Sequence, residues 1–378
     1  MNTTERLHEL GQSIWLDNIT NDLLQSGTLK KYISTHNVTG LTSNPTIYEQ
    51  AIRDGKFYTN AIEKLTTPNK SNAEIFFELA IADLKMAAQL FSDIHKSTNE
   101  VDGWVSLEVS PLLANNAPET IQEAVRLHAK AGCDNMFIKI PGTPFGMVAV
   151  EECIFQGVPI NVTLLFSEKQ YLKAASAYMH GIERRIEAGL DPNVASVASI
   201  FISRWDVAVN RLVPESLHNK LGIAIAQRSY RAYQGLQETP RWRRLANAGA
   251  KRQRVLWAST GSKDPALSDT FYVQELLSPD TINTMPEKTL LAFADHGLIG
   301  RTMSFDGDNS EQQIATFRSA GTDIEALAAQ LQIDGTTAFV KSWRALLQLI
   351  SQTSAGQMDE SAESAVTRPT LHIKRTME

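Results

Sequence analysis

Short runs rich in β-branched and other apolar residues alternate along the chain with longer segments that repeat apolar residues every three or four positions. The runs cover residues 13–17, 38–43, 104–109, 136–140, 159–165, 195–202, 255–259 and, more weakly, 281–285. Strands separated by helices pair in parallel, because each helix returns the chain to the same edge of the sheet. Eight such strands predict a single closed (β/α)8 TIM barrel, an α/β fold for which 378 residues suffice with insertions.

The segments between the runs predict the outer helices and several additions. Helical spacing of apolar residues covers 72–95, 120–131, 168–188 and 221–235. Roughly sixty residues separate the second and third runs, which predicts at least one extra helix there, such as 46–65. Two more helices, 323–331 and 337–351, are expected to close a barrel domain of residues 1–352. Residues 353–378 are rich in Ser, Glu and Thr, as is typical of a flexible tail.

Net charge excludes several functional classes. A net charge of −6 argues against a general affinity for nucleic acid or anionic membranes. The basic cluster of residues 241–254 around Trp242 is interpreted as a solvated helix face anchored by the Trp, with nucleic-acid binding as the weaker alternative. No stretch is apolar for the length of a membrane span, and residues 1–10 lack an apolar leader core, so we expect a cytoplasmic protein.

The cysteines and histidines do not indicate a metal site. Cys133 and Cys153 are the only cysteines and form no CxxC pair, while the eight histidines lack HxH or HExxH spacing. We therefore expect neither a disulfide framework nor a protein-held metal.

Lys139 lies within the apolar run 136–140, just before Pro141 and Gly142. An ammonium in such a poorly solvated place is disfavoured, and a neutral amine can attack a carbonyl carbon to form a Schiff base. The alternative is a lysine at a strand end whose amine reaches water.

Side-chain alternation predicts which groups share the barrel lumen with Lys139. Successive side chains of a strand point to opposite faces, so Ser106 and Glu108 lie on one face and Val105, Leu107 and Val109 on the other. By the same rule, Asn161 and Thr163 face away from Val162 and Leu164, and Lys139 shares its face with Phe137. A carboxylate, an amide, a hydroxyl and an amine thus converge at the carboxyl ends of consecutive strands, where barrel active sites are built.

Seven segments carry a resemblance to a known family. They are residues 16–18 (LDN), 42–46 (TSNPT), 106–109 (SLEV), 138–143 (IKIPGT), 161–167 (NVTLLFS), 199–204 (SIFISR) and 257–261 (WASTG). Their order and content, over about residues 10–350, resemble the transaldolase family and in particular its longer bacterial and plant-type members. The family has a class I aldolase-type barrel with its Schiff-base lysine on the fourth strand.

The resemblance implies catalytic roles for four residues. Lys139 would form the Schiff base with a ketose phosphate, while Glu108 and Thr163 would hold the water through which protons move. Asp17 would remove the proton from the C4 hydroxyl and so drive cleavage of the C3–C4 bond. No cofactor is implied, since the iminium ion is itself the electron sink.

The resemblance also implies a substrate site. Asn44, Asn161 and Ser199 would bind the hydroxyls of the dihydroxyacetone unit, and Arg204 would bind the phosphate. Many members carry an arginine shortly after the Ala-Ser of the seventh strand, whereas this chain has Ser259, Ser262 and Lys263 in that region. These three residues are expected to supply the remaining phosphate contacts, unless Lys263 is only an exposed loop lysine.

Simpler structural roles remain open for some of these residues. Asp17 could cap a helix that begins near Ile19, Asn44 could serve only the turn before Pro45, and Ser106 could merely fill its strand.

The resemblance implies transfer of dihydroxyacetone between sugar phosphates in the pentose phosphate pathway, by a monomer or homodimer without metal or cofactor. One alternative is a fructose-6-phosphate aldolase, but those shorter relatives carry another residue at the position of Glu108. A second alternative is a non-catalytic sugar-phosphate-binding barrel, which the presence of Lys139, Glu108, Thr163 and Asp17 disfavours.

Overall fold

Eight parallel strands form a closed barrel, as the sequence predicted. The computed structural model describes residues 2–54 and 57–354. The strands are β1 (Gln12–Asp17), β2 (Val38–Thr42), β3 (Trp104–Glu108), β4 (Met136–Pro141), β5 (Ile160–Leu165), β6 (Ser196–Phe201), β7 (Arg254–Ala258) and β8 (Thr281–Met285). Each strand pairs with the next along the chain and β8 pairs with β1, so the sheet has no free edge.

Helices surround the barrel and fill the connections between its strands. In chain order they are α1 (Thr3–Glu9), α2 (Asn21–Gln25), α3 (Thr28–His36), α4 (Pro45–Asp54), α5 (Phe57–Leu65), α6 (Asn72–Leu90), α7 (Ser92–Ser97), α8 (Ala117–Ala131), α9 (Pro144–Phe155), α10 (Glu168–Glu187), α11 (Ser203–Val209), α12 (Leu221–Gln237), α13 (Pro240–Asn247), α14 (Phe271–Glu275), α15 (Glu287–His296), α16 (Ser310–Ser319) and α17 (Ile324–Ser354). None of these helices is long and apolar enough to cross a membrane.

Two helix predictions were wrong about where a helix divides or continues. The segment 72–95 forms two helices, α6 and α7, which separate at Phe91. Phe91 is followed by Ser92 and Asp93, which are residue types that favour the start of a helix. The extra helical residues predicted within 46–65 are present as α4 and α5, on either side of residues 55 and 56, which lie outside the described part of the chain. The two predicted closing helices are one helix of 31 residues, α17, which also includes residues 353 and 354. The rest of the predicted tail, 355–378, lies outside the described residues.

An apolar layer closes the lower part of the lumen. Trp15, Phe137 and Val197 belong to one buried cluster, and each lies two residues before a polar residue of the lumen, namely Asp17, Lys139 and Ser199. Trp104 stacks on Phe137 with ring centroids 4.1 Å apart. Because this layer fills the barrel, the polar residues stand on an apolar floor at the carboxyl ends of the strands.

Strand β5 departs from the predicted alternation at one residue. Val162 joins the core between strands and outer helices, but Leu164 belongs to the cluster that includes Leu331 and Phe339 of α17. Leu164 has a left-handed backbone with φ of 56°, and the register with β6 shifts between Val162 and Leu165. The prediction that Leu164 faces the outer helices was therefore wrong, because a bulge turns its side chain toward α17.

Gly40 in β2 is required by the indole of Trp15. A Cβ atom at Gly40 would lie 2.6 Å from that ring, far inside van der Waals contact. We predict that Gly40→Ala lowers the free energy of unfolding by about 1–3 kcal/mol, because the floor of the lumen would be overpacked.

Urea unfolding monitored by tryptophan fluorescence measures this change. Gly235→Ala in α12 is the matched control, since no atom lies within 4 Å of its added Cβ. The control should be neutral or slightly stabilising, as Ala favours helix more than Gly. Equal stability of the two variants would contradict the assignment of Gly40 to a close approach.

Candidate active site

A cavity of about 740 Å³ opens at the carboxyl ends of the strands. Seven of the predicted site residues line it: Asp17, Asn44, Lys139, Ser199, Arg204, Ser259 and Lys263. Helix α17 contributes Leu331, Asp334 and Phe339 to the opposite wall. The structure thus brings together side chains from five strands or the loops that follow them, together with one distant helix.

Lys139 lies at the bottom of this cavity and is almost fully buried. Its Nζ is 3.4 Å from Oε2 of Glu108 and donates a hydrogen bond to the carbonyl of Ser43 over 3.2 Å. Glu108, Lys139 and Asn161 occupy matching register positions on β3, β4 and β5, which is why their side chains share one face. The alternative of a solvated lysine does not fit, because only 6% of the Lys139 side chain is exposed.

Glu108 is positioned to exchange protons near neutral pH. Burial raises the pKa of its carboxyl to about 7, although nearby Lys139 opposes that rise and Asp17 adds to it. Neither carboxylate oxygen has a hydrogen-bond partner among the described residues, and the same holds for the buried hydroxyl of Thr163. Buried polar atoms rarely stay unpaired, so water or a substrate must satisfy them. Glu108, 3.4 Å from the Lys139 amine, is thus available to exchange a proton with a group bound there.

The carboxylate of Asp17 accepts a hydrogen bond of 2.9 Å from the hydroxyl of Thr42. The Thr42 hydroxyl is also 2.7 Å from that of Thr284. Burial raises the pKa of Asp17, while Lys139, Thr42 and Lys263 each oppose the rise. Asp17 does not cap a helix, since α2 begins at Asn21 and is capped by the Thr20 hydroxyl.

Asn161 and Ser199 form a polar chain on the wall of the lumen. The Ser199 hydroxyl donates to Oδ1 of Asn161 over 2.7 Å, and the amide of Asn161 donates to the Ser106 hydroxyl over 3.2 Å. Ser106 therefore orients Asn161 and does more than fill its strand.

Asn44 caps a helix and also lines the cavity. Its Oδ1 accepts hydrogen bonds from the backbone N–H groups of Thr46 and Ile47 at the start of α4. Its side chain also lines the cavity. Because the oxygen caps the helix, the amide N–H groups are left to face a ligand.

Besides Lys139, the cavity is lined by the cationic residues Arg204 and Lys263. The guanidinium of Arg204 makes no hydrogen bond or ion pair with any residue in the described part of the chain, and burial lowers its pKa despite the carboxylate of Asp334. Its carbon Cζ lies 5.7 Å from the ring centroid of Phe201. A half-buried guanidinium that makes no other hydrogen bond is well suited to bind a phosphate.

The two predicted serines are placed differently. Ser259 has a left-handed backbone with φ of 57° and its hydroxyl lies 2.9 Å from that of Ser203. Ser262 is not brought to the cavity, because its hydroxyl turns back to the carbonyl of Asp264 over 3.0 Å. The loop therefore offers Ser259 and Lys263, but not Ser262, to a ligand.

Sequence reasoning missed Thr42, Thr284 and the three α17 residues of the cavity wall. Thr42 stood inside the quoted TSNPT segment and could have been found from it. The α17 residues carry no local signal, since their place depends on how a distant helix packs. Among residues 2–54 and 57–354, no three His, Cys, Asp or Glu side chains are grouped in a way that could hold a metal ion.

The basic cluster around Trp242 is largely paired with acidic residues. Arg241 forms a bidentate contact of 2.7 Å with Glu183, and Lys251 lies 2.7 Å from Glu100. Trp242 itself is buried, as predicted for an anchor of α13. The interpretation as one helix face holds for Arg241, Arg243 and Arg244 of α13 but was wrong for the rest, because Lys251 and Arg252 lie in the following loop and Arg254 begins β7.

Comparison with known proteins confirms the resemblance. The model of the Transaldolase/Fructose-6-phosphate aldolase family matches residues 14–350. A transaldolase of Frankia alni is 41% identical over 360 residues, which are 93% of this chain and 97% of that protein. A transaldolase of Neisseria meningitidis serogroup A is 40% identical over 339 residues, covering 89% of this chain and 96% of the relative. "Transaldolase 2" of a Nostoc species is 38% identical over 360 residues, 90% and 94% of the two chains. The chain therefore belongs to the transaldolase/fructose-6-phosphate aldolase family.

Proposed function

We propose that this protein is a transaldolase that moves a dihydroxyacetone unit between sugar phosphates. The donor would be sedoheptulose 7-phosphate or fructose 6-phosphate, and the acceptor glyceraldehyde 3-phosphate or erythrose 4-phosphate. The observation that carries the proposal is the buried Lys139, which lines the cavity and has Oε2 of Glu108 3.4 Å from its Nζ. Relatives about 40% identical over most of their length are named transaldolases, which supports the same activity here.

The first half of the reaction begins with a covalent bond to the lysine. The neutral amine of Lys139 attacks the C2 carbonyl of the ketose, and proton transfer gives a carbinolamine. Protonated Glu108, through the water it shares with Thr163, then delivers a proton to the departing hydroxyl, so that water leaves and an iminium ion forms. A carboxyl with a pKa of about 7 can both give and take this proton near neutral pH.

Cleavage then requires a base on the other side of the substrate. Asp17 removes the proton of the C4 hydroxyl, the C3–C4 bond breaks, and its electron pair moves to the iminium to give an enamine on Lys139. The aldose phosphate leaves while the three-carbon enamine stays bound. Attack of the enamine on an acceptor aldehyde and hydrolysis of the new iminium reverse these steps and free Lys139.

The remaining residues hold the substrate in place during both halves. Asn44, Asn161 and Ser199 would bind the hydroxyls of the dihydroxyacetone unit, which keeps the enamine fixed until the acceptor arrives. Arg204 and Lys263, with Ser259, would bind the phosphate, which places the C4 hydroxyl near Asp17. We further propose that the enzyme works in the cytoplasm as a monomer or homodimer and needs no cofactor.

A second candidate is fructose-6-phosphate aldolase, whose name the family shares. The two activities differ in whether the enamine waits for an acceptor or is released after protonation. Glu108 favours transfer, because the aldolase relatives carry another residue at that position.

Acceptor dependence separates the two activities. We expect release of glyceraldehyde 3-phosphate from fructose 6-phosphate to require erythrose 4-phosphate for turnover, measured with a coupled dehydrogenase assay in chelating buffer. Equal turnover without the acceptor would indicate an aldolase. No release of product under either condition would favour a binding protein.

Lys139→Met should abolish transfer while keeping the fold, because a side chain of similar length and volume lacks the amine. The expected loss of kcat is at least about 1,000-fold, as for removal of an essential nucleophile. Borohydride reduction with fructose 6-phosphate, followed by peptide mass spectrometry, should label Lys139 in the unmodified protein and nothing in the variant. Lys341→Met, on the exposed face of α17, is the control. Transfer that persists in Lys139→Met would refute the Schiff-base assignment.

The pH dependence of iminium formation tests Glu108. Burial raises its folded pKa above the ordinary value of 4.5 to about 7, so the carboxyl is protonated at lower pH and loses its proton as the pH rises through 7. The rate of borohydride-trapped iminium should therefore fall above about pH 7, where the general acid is lost. Glu108→Gln should slow this step and remove the falling limb. A falling limb that survives in the variant would assign the ionisation to another group.

A further inference from the structure

The side chain of Gln332 in α17 joins the ends of the two strands that carry the nucleophile and its neighbours. Its Nε2 donates to the carbonyl oxygens of Gly142 and Leu164, each over 2.9 Å. Gly142 follows Lys139 by three residues at the end of β4, and Leu164 directly follows Thr163 in β5. One amide with two N–H donors thus bridges both strands.

The carbonyl of Leu164 needs such a partner because of the bulge in β5. With Leu164 in the left-handed region and the β5–β6 register shifted around it, this part of the strand leaves the regular ladder. A left-handed conformation is unfavourable for a leucine, so it persists only where the surroundings hold it. The adjacent Gly142 N–H donates to the carbonyl of Thr163 over 2.7 Å, which ties the same two strand ends together.

Helix α17 lies directly on this bulge. Gly335 is one turn after Gln332, and a Cβ atom at Gly335 would be 2.8 Å from Cδ2 of Leu164. The absence of a side chain at Gly335 therefore lets the helix approach closely enough for Gln332 to reach both carbonyls. It also explains why a glycine followed by two threonines, all poor helix formers, stands inside a continuous helix.

We propose that Gln332 is a positioning residue that fixes the spacing of β4 and β5 around the proton-transfer site. The inference rests on the proposed transaldolase function. By holding Leu164, Gln332 orients the preceding Thr163, whose hydroxyl would share a water with Glu108 beside Lys139. Loss of the two hydrogen bonds lets the bulge relax and misplaces the Thr163 hydroxyl, so that dehydration of the carbinolamine slows.

Other contacts hold α17 in place when Gln332 is changed. The hydroxyl of Thr46 donates to Ser342 over 2.9 Å, the amide of Gln170 donates to the carbonyl of Ala328, and Trp343 packs against Phe76 with ring centroids 5.1 Å apart. A substitution at Gln332 should therefore alter the strand ends without removing the helix from the cavity wall. The effect of Gln332 on the strand ends can therefore be measured without displacing α17.

The test compares Gln332→Met, which keeps the length but loses the donors, with Gln348→Met at an exposed position of the same helix. We expect Gln332→Met to lower kcat and the rate of borohydride-trapped iminium by roughly tenfold or more, since small misplacements of reacting groups are costly. KM for fructose 6-phosphate and erythrose 4-phosphate should change by less than about twofold, because the phosphate and hydroxyl contacts remain. The Gln348→Met control should match the unmodified protein.

Gln332→Glu adds a readout that a merely structural tether would not give. A carboxylate cannot donate to the two carbonyls, but a protonated carboxyl can donate to one of them. The iminium-trapping rate of Gln332→Glu, divided by that of Gln332→Met at the same pH, should therefore rise as the pH is lowered. If Gln332→Met folds poorly, the trapping rate of Gln332→Glu divided by that of the unmodified protein should show the same rise at low pH.

Three outcomes would overturn the proposal. They are an unchanged kcat and trapping rate in Gln332→Met, a raised KM with unchanged kcat, and a ratio that does not vary with pH. Failure of the proposed function looks different, since the unmodified protein would then form the trapped Schiff base without acceptor-dependent transfer. The trapping comparison still decides the role of Gln332 in that case.

Discussion

The burial of Lys139 against Glu108 is the interaction on which the rest of the site depends. Removing two ionisable groups from water costs several kcal/mol for each group, and their attraction repays this only when the geometry is good. Here the closed barrel fixes that geometry, because Glu108 and Lys139 are register partners on neighbouring strands above an apolar floor. The same burial that is costly for stability raises the pKa of Glu108 to about 7, where a carboxyl can carry protons in both directions.

The site combines two kinds of ionisable residue that differ in their exposure to solvent. Glu108 and Lys139 are almost fully buried, and desolvation there raises the pKa of Glu108, while Arg204 is half-buried and Lys263 is exposed. Asp334 on α17 lies near Arg204 and opposes the effect of burial on the pKa of that guanidinium. Its negative charge would also weaken the binding of the phosphate that we propose Arg204 holds.

Local patterns were sufficient to predict the barrel and most of the lumen. The predicted strands agree with β1–β8 to within one or two residues at each end, since alternation and strand length are properties of short segments. The inward placement of Glu108, Lys139, Asn161 and Thr163 followed from the two-residue period of a strand. Leu164, α17 and Ser262 could not be predicted in this way. At Leu164, a bulge reverses the two-residue period of the strand. In α17, packing against Leu164 outweighs the low helix propensity around Gly335. The hydroxyl of Ser262 donates to a backbone carbonyl of its own loop.

The two wrong predictions at Leu164 and α17 are not independent of each other. The bulge at Leu164 interrupts the two-residue period, and its position is the one at which α17 rests and Gln332 reaches the barrel. A strand that kept its period there would direct Leu164 to the outer helices and leave Gly335 with no close neighbour. The helix would then lose its contact beside Thr163. Where the sequence pattern failed, therefore, the fold departs from the ideal barrel to join a distant helix to the catalytic end of β5.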